Sequence, residues 1–474
     1  MGDFKKAAKR PSSRKIEYLS LGCDKNLVDT EKVLAHLQTK GFEPVPLGSG
    51  GETILINTCS FIDAAKEESI EQILLAVERK KAGKLKRIIV AGCMVELFKR
   101  ELAKEIPEVD LWIKFSELEN YVGAGLPTPP KQVRLRRLDA LPMREGEKMG
   151  VGQPTPPKQL RLRRLEALPL QEVPRFITTP KHISYLKIAE GCDQGCKFCI
   201  IPKIRGNFRS FTVEDLLDEA RFLEDSGVKE LNLVAQDLCA YGKDFSSSLV
   251  RLLEQLLART KIPWLRLFYL NPEGLRASLI NLIATEERIC SYIDLPFQHI
   301  SDPVLCAMGR RAREKKIRSL VEKLKEKIPG VALRGAALVG FPGESDEDFE
   351  KLCAFVEWAD FDWLGVFAFS PQKGSRAFGM KGRIGESLAQ KRKSELENLS
   401  ANLAEQKNLA KIGKVFKVLV DGGSDSGFDY QGRSFAQAYD IDGVIHLQGR
   451  FAPGKFYLVK IIESLGLDLV GNKI

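Results

Sequence analysis

The chain has 474 residues, 44% of them hydrophobic and 29% charged, and a formal net charge of +10. That length accommodates two to four domains with real cores. No apolar run approaches the roughly 20 residues of a membrane span, and residues 1–15 are polar and lysine-rich without the apolar stretch of a signal peptide. No membrane association and a cytoplasmic location are therefore expected. The ten cysteines read as metal ligands and core thiols, because disulfides are rare in a large cytosolic protein. The positive charge is uneven. Residues 1–15 carry +5 and residues 123–175 carry +6, so the rest sum to about −1. The basicity belongs to a flexible tail and a linker, which either solubilise the protein or steer it toward RNA.

Residues 16–122 alternate strand and helix patterns, which predicts a parallel α/β domain. Strands are expected at 16–21, 53–57 and 87–91, with helices over 29–40 and 64–81. Each strand runs into a cysteine: Cys23, Cys59 and Cys93. Open α/β sheets gather ligands at the carboxyl ends of their strands, so the three thiols are either a convergent metal site or ordinary buried cysteines. Residues 123–175 contain a duplication. The sixteen residues Pro127–Pro142 recur as Pro154–Pro169, changed only at Val133/Leu160 and Asp139/Glu166. Two copies are too few for a solenoid, and the Pro and Arg content predicts a partly extended linker.

Residues 176–410 form the next unit. Six strands are expected at 183–189, 230–235, 264–270, 292–295, 331–339 and 364–369. Helices are expected over 213–225, 247–260, 313–327 and 346–358, with Thr212 capping the first. This is a partial (β/α)6 barrel open on one side, and active sites of barrels lie at the C-terminal mouth. Directly after the first strand comes Cys192-x3-Cys196-x2-Cys199. Three thiolates can hold three irons of a 4Fe-4S cube and leave the fourth open to a ligand, whereas clusters without an open site take four cysteines. A zinc loop fits less well, since no partner C-x2-C pair exists. Cys239, Cys290, Cys306 and Cys353 lack ligand spacing and read as core thiols. His36 and His446 read as surface or packing residues, and His299, after the fourth strand, is a weaker site candidate. Residues 411–474 switch to five short strands, at 414–420, 433–438, 443–447, 456–462 and 467–470, which predicts a small OB-like barrel.

Leu21-Gly-Cys-Asp-Lys-Asn-Leu-Val-Asp29, Asn57-Thr-Cys59, Ala91-Gly-Cys93 and the Cys192 loop together resemble the radical S-adenosylmethionine (SAM) methylthiotransferases. The resemblance covers nearly everything outside the tail and the duplication. It implies an α/β protein with an N-terminal methylthiotransferase domain, a radical-SAM barrel and a C-terminal TRAM barrel. It also implies SAM and two 4Fe-4S clusters, with Cys192, Cys196 and Cys199 holding the SAM-binding cluster and Cys23, Cys59 and Cys93 the auxiliary one. Phe198 would pack beside the adenine. Gln236 and Asp237, ending the second barrel strand, would hydrogen-bond SAM, and Gly340 and Gly343 would let backbone approach the ligand. Val234–Asp237, Val339–Glu344 and Arg433–Ala436 are most similar to the branch that adds a methylthio group to an aspartate β-carbon in the twelfth small-subunit ribosomal protein. Asp24, where a Pro is common, and Ile200, where an Ala is common, depart from the pattern, as does the duplication.

Such a C–H bond is unactivated, which is why a radical cofactor must supply the chemistry. An electron donor is then a required partner. The rival substrate is a tRNA adenosine, and a rival of another class is a non-catalytic iron–sulfur RNA-binding scaffold. An RNA-gripping module should be basic, yet Asp421–Gly449 carries five acidic residues and one Arg. An acidic TRAM face, with Asp440 and Asp442 prominent, would suit docking of a basic ribosomal protein, while the tail and linker could touch ribosomal RNA.

Overall fold

The computed structural model describes residues 14–117 and 175–474. Residues 1–13 of the tail and 118–174, which hold both copies of the duplication, lie outside the described residues, so neither expectation is tested there, while Arg14 and Lys15 already belong to the first strand. The first sheet is all-parallel in the order β2-β1-β3-β4-β5, made of β1 (Arg14–Ser20), β2 (Phe42–Pro46), β3 (Thr53–Thr58), β4 (Arg87–Gly92) and β5 (Leu111–Lys114). Its central strands β3 and β4 are buried along nearly their whole length. That is why they read as continuous apolar runs rather than as alternation. The two edge strands were not anticipated. β2 contains two prolines, which edges tolerate, and β5 is only four residues long.

The barrel strands are β6 (Ile183–Lys187), β9 (Glu230–Val234), β10 (Trp264–Leu267), β11 (Tyr292–Gln298), β12 (Ala332–Val339) and β13 (Trp363–Ala368). A short hairpin, β7 (Ala189–Glu190) with β8 (Arg209–Ser210), lies between the first two. The parallel order is β6-β9-β10 and β11-β12-β13, joined by the Leu265–Ile289 bridge. Among the described residues no ladder joins β6 to β13, so the barrel is open as expected. Helices Val213–Asp225, Leu249–Arg259, Glu314–Lys327 and Asp346–Ala359 cover its outside. Thr212 accepts from the Asp215 N–H at 3.2 Å, the anticipated cap. The core is one cluster of leucines, isoleucines and phenylalanines between strands and helices. Among the described residues no helix is long and apolar enough to cross a membrane.

The last strands, β14 (Val415–Gly423), β15 (Tyr430–Arg433), β16 (Ile445–Leu447), β17 (Phe456–Leu465) and β18 (Asp468–Lys473), close a barrel in the order β14-β15-β16-β18-β17. The second strand differs from the expected 433–438. Ser434 donates through both its N–H and its hydroxyl to Gln437 Oε1, each at 2.9 Å, which folds the segment back. The carbonyls of Phe435 and Ala436 accept from Arg266 at 2.6 Å and Trp363 Nε1 at 2.7 Å. The segment's backbone groups thus dock one domain on another instead of extending a ladder.

Candidate active site

β1, β3 and β4 are neighbours in the sheet, so Cys23, Cys59 and Cys93 leave adjacent strand ends. Two glycines let them close up. Gly22 has φ +85°, and a Cβ there would lie 2.7 Å from Cys59 Sγ. Gly92 has φ +104°, and its Cβ would lie 2.1 Å from Asn57 Oδ1. Asn26 ties the loops together by donating to the carbonyls of Leu21 (3.0 Å) and Thr58 (3.1 Å). Cys23 caps the helix Asp24–Thr39, and Cys93 opens the helix Cys93–Glu105.

The second triad hangs on the β7/β8 hairpin. Gly191 has φ +77°, and a Cβ there would lie 2.1 Å from the Asn207 carbonyl oxygen, so the two ends of the loop close on each other. The Ile201 N–H points to Cys199 Sγ at 3.4 Å, and Arg310 Nη1 to Cys196 Sγ at 3.6 Å. Burial pushes Cys192 up to about 11 and Cys199 to about 12. Burial also pushes Cys93 up to about 12, although the Arg205 guanidinium opposes it. Thiols held this way ionise only beside a strong positive charge, which is what a metal centre provides. Backbone N–H and guanidinium donors aimed at sulfur likewise fit thiolate ligands. Among the described residues no three His, Cys, Asp or Glu are gathered as one metal ion requires.

The first triad meets the segment that follows the second. Cys93 packs in one apolar cluster with Ile200 and Ile204, immediately after Cys199. Arg205, closing the short helix Ile201–Arg205, points Nη2 at Cys93 Sγ (3.5 Å) and bonds Asn26 Oδ1. Its Nη1 pairs with Asp29 (2.6 Å) and Glu190 (3.2 Å). Lys187 pairs with Glu190 (2.6 Å) and with Asp29. Two buried cations therefore share two buried carboxylates across the domain boundary. Burial raises the Glu190 carboxyl, but Lys187 and Arg205 outweigh it and hold it at about 2.

At the end of β9, Gln236 donates to Glu190 (2.9 Å), while its Oε1 is buried without a partner. Asp237 accepts from Gln194 and Asn271, but its Oδ1 is also unpartnered, as is Arg310 Nε. Burial raises the Asp237 carboxyl. Orphaned acceptors and a donor beside the second triad fit a polar ligand carrying both kinds of group. Phe198 packs on an apolar cluster with Met308 and Phe341. Gly340 faces Ala389, whose Cβ would be 2.5 Å from an added Cβ, and the Gly343 N–H donates to Gly382 (2.9 Å).

Three expectations are corrected. His299 is a core residue, 0% exposed, whose Nδ1 accepts from the Ser301 N–H at 3.0 Å. Cys306 is exposed rather than a core thiol, since it lies on the open side of the helix Asp302–Ala307. The acidic stretch of the last domain is not one open face. Asp421 is buried against Arg433 (2.7 Å) and His182 (3.1 Å). The Asp442 side chain is 2% exposed and accepts from Tyr292 Oη at 2.8 Å. These acids pair inward with the radical-SAM barrel, and Asp425, Asp429 and Asp440 are the ones left exposed. Arg205 and Arg310 carried no sequence signal beyond their charge, and Asn26 stood out only as part of the Leu21–Asp29 motif.

Three family models match the chain: Uncharacterized protein family UPF0004 over residues 15–114, Radical SAM superfamily over 186–356 and TRAM domain over 412–474. Among curated proteins it is similar to the ribosomal protein uS12 methylthiotransferase RimO of Citrifermentans bemidjiense, 39% identical over 97% of this chain and 98% of the relative. The RimO of Geotalea uraniireducens is 40% identical over 97% and 98%, and that of Aquifex aeolicus 38% identical over 97% of each. Among solved structures the radical SAM methyltransferase TsrM of Kitasatospora setae, with tryptophan and a SAM analogue, has TM-score 0.52 at 14% identity. It covers 77% of this chain and 75% of its own. That likeness concerns the fold alone.

Proposed function

The chain belongs to the RimO family of ribosomal protein uS12 methylthiotransferases, enzymes of SAM and 4Fe-4S clusters, and from that premise we propose how its own residues divide the work. Cys192, Cys196 and Cys199 hold the cluster that binds SAM, and Cys23, Cys59 and Cys93 hold the auxiliary cluster. The observation that supports this reading is the packing of Cys93 against Ile200 and Arg205, in the segment that directly follows Cys199. With SAM, the clusters supply the radical hydrogen abstraction and the sulfur that an unactivated carbon requires.

The protein contributes position and electrostatics. Gln236 Oε1 and Asp237 Oδ1, acceptors without a protein partner, bind donor groups of SAM, and Phe198 lends an apolar surface. Arg310 and Arg205 stabilise thiolate charge from opposite sides of the site. The Lys187–Asp29–Arg205–Glu190 square locks the N-terminal domain over the barrel mouth, which excludes water from the reacting groups. The substrate carbon is the β-carbon of a uS12 aspartate. The exposed Asp425, Asp429 and Asp440 offer a smaller acidic surface to a basic protein than the sequence promised. The basic tail and linker contact ribosomal RNA, an external donor supplies electrons, and the reaction takes place in the cytoplasm with the ribosome.

Iron analysis tests the allocation. Replacing all three of Cys23, Cys59 and Cys93 by Ala, or all three of Cys192, Cys196 and Cys199, should each remove about half of the bound iron, one of two clusters. Loss of all iron from both variants, or of none from either, contradicts the division into two sites.

A further inference from the structure

Directly after Cys23 the chain places an unusual pair. Lys25 Nζ lies 3.0 Å from Asp24 Oδ1 and 3.4 Å from the centre of the Tyr269 ring. The Tyr269 hydroxyl donates to the same Asp24 oxygen at 3.2 Å. The side chains of Lys25 and Asp24 are only 9% and 8% exposed. Tyr269 has φ +57°, a conformation that a bulky residue holds only when its surroundings enforce it. They do so here, because its N–H donates to Asp294 (2.8 Å) and its carbonyl accepts from Leu238 (3.1 Å). Two residues further on, Asn271 contacts Asp237 (3.4 Å) and Arg310 (3.2 Å), and Arg310 reaches Cys196. The pair thus links the first triad, through Cys23, to the second.

A substrate aspartate reacts at the carbon bonded to its carboxylate. Aiming that C–H bond means fixing the carboxylate, and a carboxylate entering a dry site needs a cation. The other cations named for the site already have protein partners. Arg205 and Lys187 belong to the four-charge square. Arg334 pairs with Asp294 and Asp442, and Arg310 bonds Asn271, the Pro296 carbonyl and Cys196 through its Nη atoms, keeping only Nε unpartnered, beside the second triad rather than the first. Lys25 and Tyr269 hold a carboxylate already, and that carboxylate belongs to the chain itself.

We propose that Lys25 and Tyr269 form the subsite for the carboxylate of the substrate aspartate, and that Asp24 is its internal occupant, displaced when substrate enters. This deepens, and rests on, the reading of the chain as a uS12 aspartate methylthiotransferase. Asp24 keeps the buried ammonium neutralised in the free enzyme. It must leave rather than share the site, because two carboxylates on one ammonium repel. The subsite selects aspartate over asparagine, whose amide cannot replace the ion pair.

The test uses the cluster-loaded full chain and two synthetic uS12 peptides, one with the target aspartate and one with asparagine there. Peptide affinity is read by fluorescence anisotropy, and transfer by mass spectrometry. Asp24→Asn should tighten binding of the aspartate peptide. Lys25→Met should weaken it about 10- to 100-fold, as for loss of a charged hydrogen bond, and should abolish the preference over asparagine. Tyr269→Phe, which removes one hydroxyl, should weaken it less and guards against misfolding of the lysine variant, whose iron content reports its folding. Unchanged affinity and unchanged preference in both variants, with an active wild type, would overturn the subsite alone. A wild-type protein that modifies no uS12 would overturn the underlying reading and the subsite with it.

Discussion

Arg205→Met strikes the point where the first triad meets the segment after the second, at the boundary of the two domains. The guanidinium makes ion pairs at 2.6 Å to Asp29 and 3.2 Å to Glu190 and points to Cys93 Sγ at 3.5 Å, all in buried surroundings. Its removal leaves Lys187 alone facing two buried carboxylates. Deleting one member of a buried ionic group costs about 3–5 kcal/mol, because an uncompensated charge stays behind. Lys187 still reaches both carboxylates, so the lower end, about 3 kcal/mol, is expected. That is about a hundredfold in the equilibrium for opening the interface, at 1.4 kcal/mol per tenfold. The assay is amide hydrogen exchange of the segments 24–31 and 201–205, which face each other across the boundary. Both should exchange about a hundredfold faster, while the helix Glu314–Lys327, which has no ion pair to the N-terminal domain among those of the described residues, should not change. Arg205→Lys should fall between, since it keeps the charge but loses the planar fork. Exchange within threefold of wild type in both segments would refute the idea that the ionic square fastens the domains.

Other consequences are as direct. Arg433 pairs with Glu230 (2.8 Å) and Asp421 (2.7 Å) between the last barrel and the radical-SAM barrel. Arg433→Met should destabilise their junction by about 3 kcal/mol, read as faster exchange along β14. Asp442→Lys should act the same way, because Asp442 is buried against Tyr292 and Arg334. Asp440→Lys should cost about 1 kcal/mol at most, because the position is exposed but has φ +59°, which Asp tolerates better than Lys, and should lower the affinity for uS12 if that face docks it. Burial lowers the His299 imidazole to about 4 against its ordinary 6.5. The unfolded chain therefore binds the extra proton first, and His299 makes stability fall between pH 6.5 and 4, by at most about 1.4 kcal/mol per pH unit. His299→Asn should flatten that part of the stability–pH curve in denaturant titrations.

The fold was legible where one physical rule dominated. Buried parallel strands gave apolar runs, amphipathic helices gave their periodicity, and Val213–Asp225 came out with both ends right. Edge strands β2 and β5 were missed because prolines and shortness mask them. The segment 433–438 has strand-like composition, and only its hydrogen bonds to Arg266 and Trp363 turn it into a docking loop. Cys192, Cys196 and Cys199 stood out because their spacing is local, and Cys23, Cys59 and Cys93 because each follows a strand. Arg205 did not, because its partners Asp29 and Cys93 are distant in sequence and only the fold brings them to it. The acidic count over 421–449 misled for the same reason. A sum of charges cannot tell an exposed Asp440 from an Asp442 paired inside.

The most direct test of the account is to incubate the anaerobically reconstituted protein with SAM and a reductant, in separate tubes with small ribosomal subunits and with bulk tRNA, and to map methylthio groups by mass spectrometry. The account predicts a methylthio group on one aspartate of uS12, lost when either cysteine triad is replaced. A methylthio group on tRNA adenosine with uS12 unmodified, or transfer that survives loss of either triad, would contradict it.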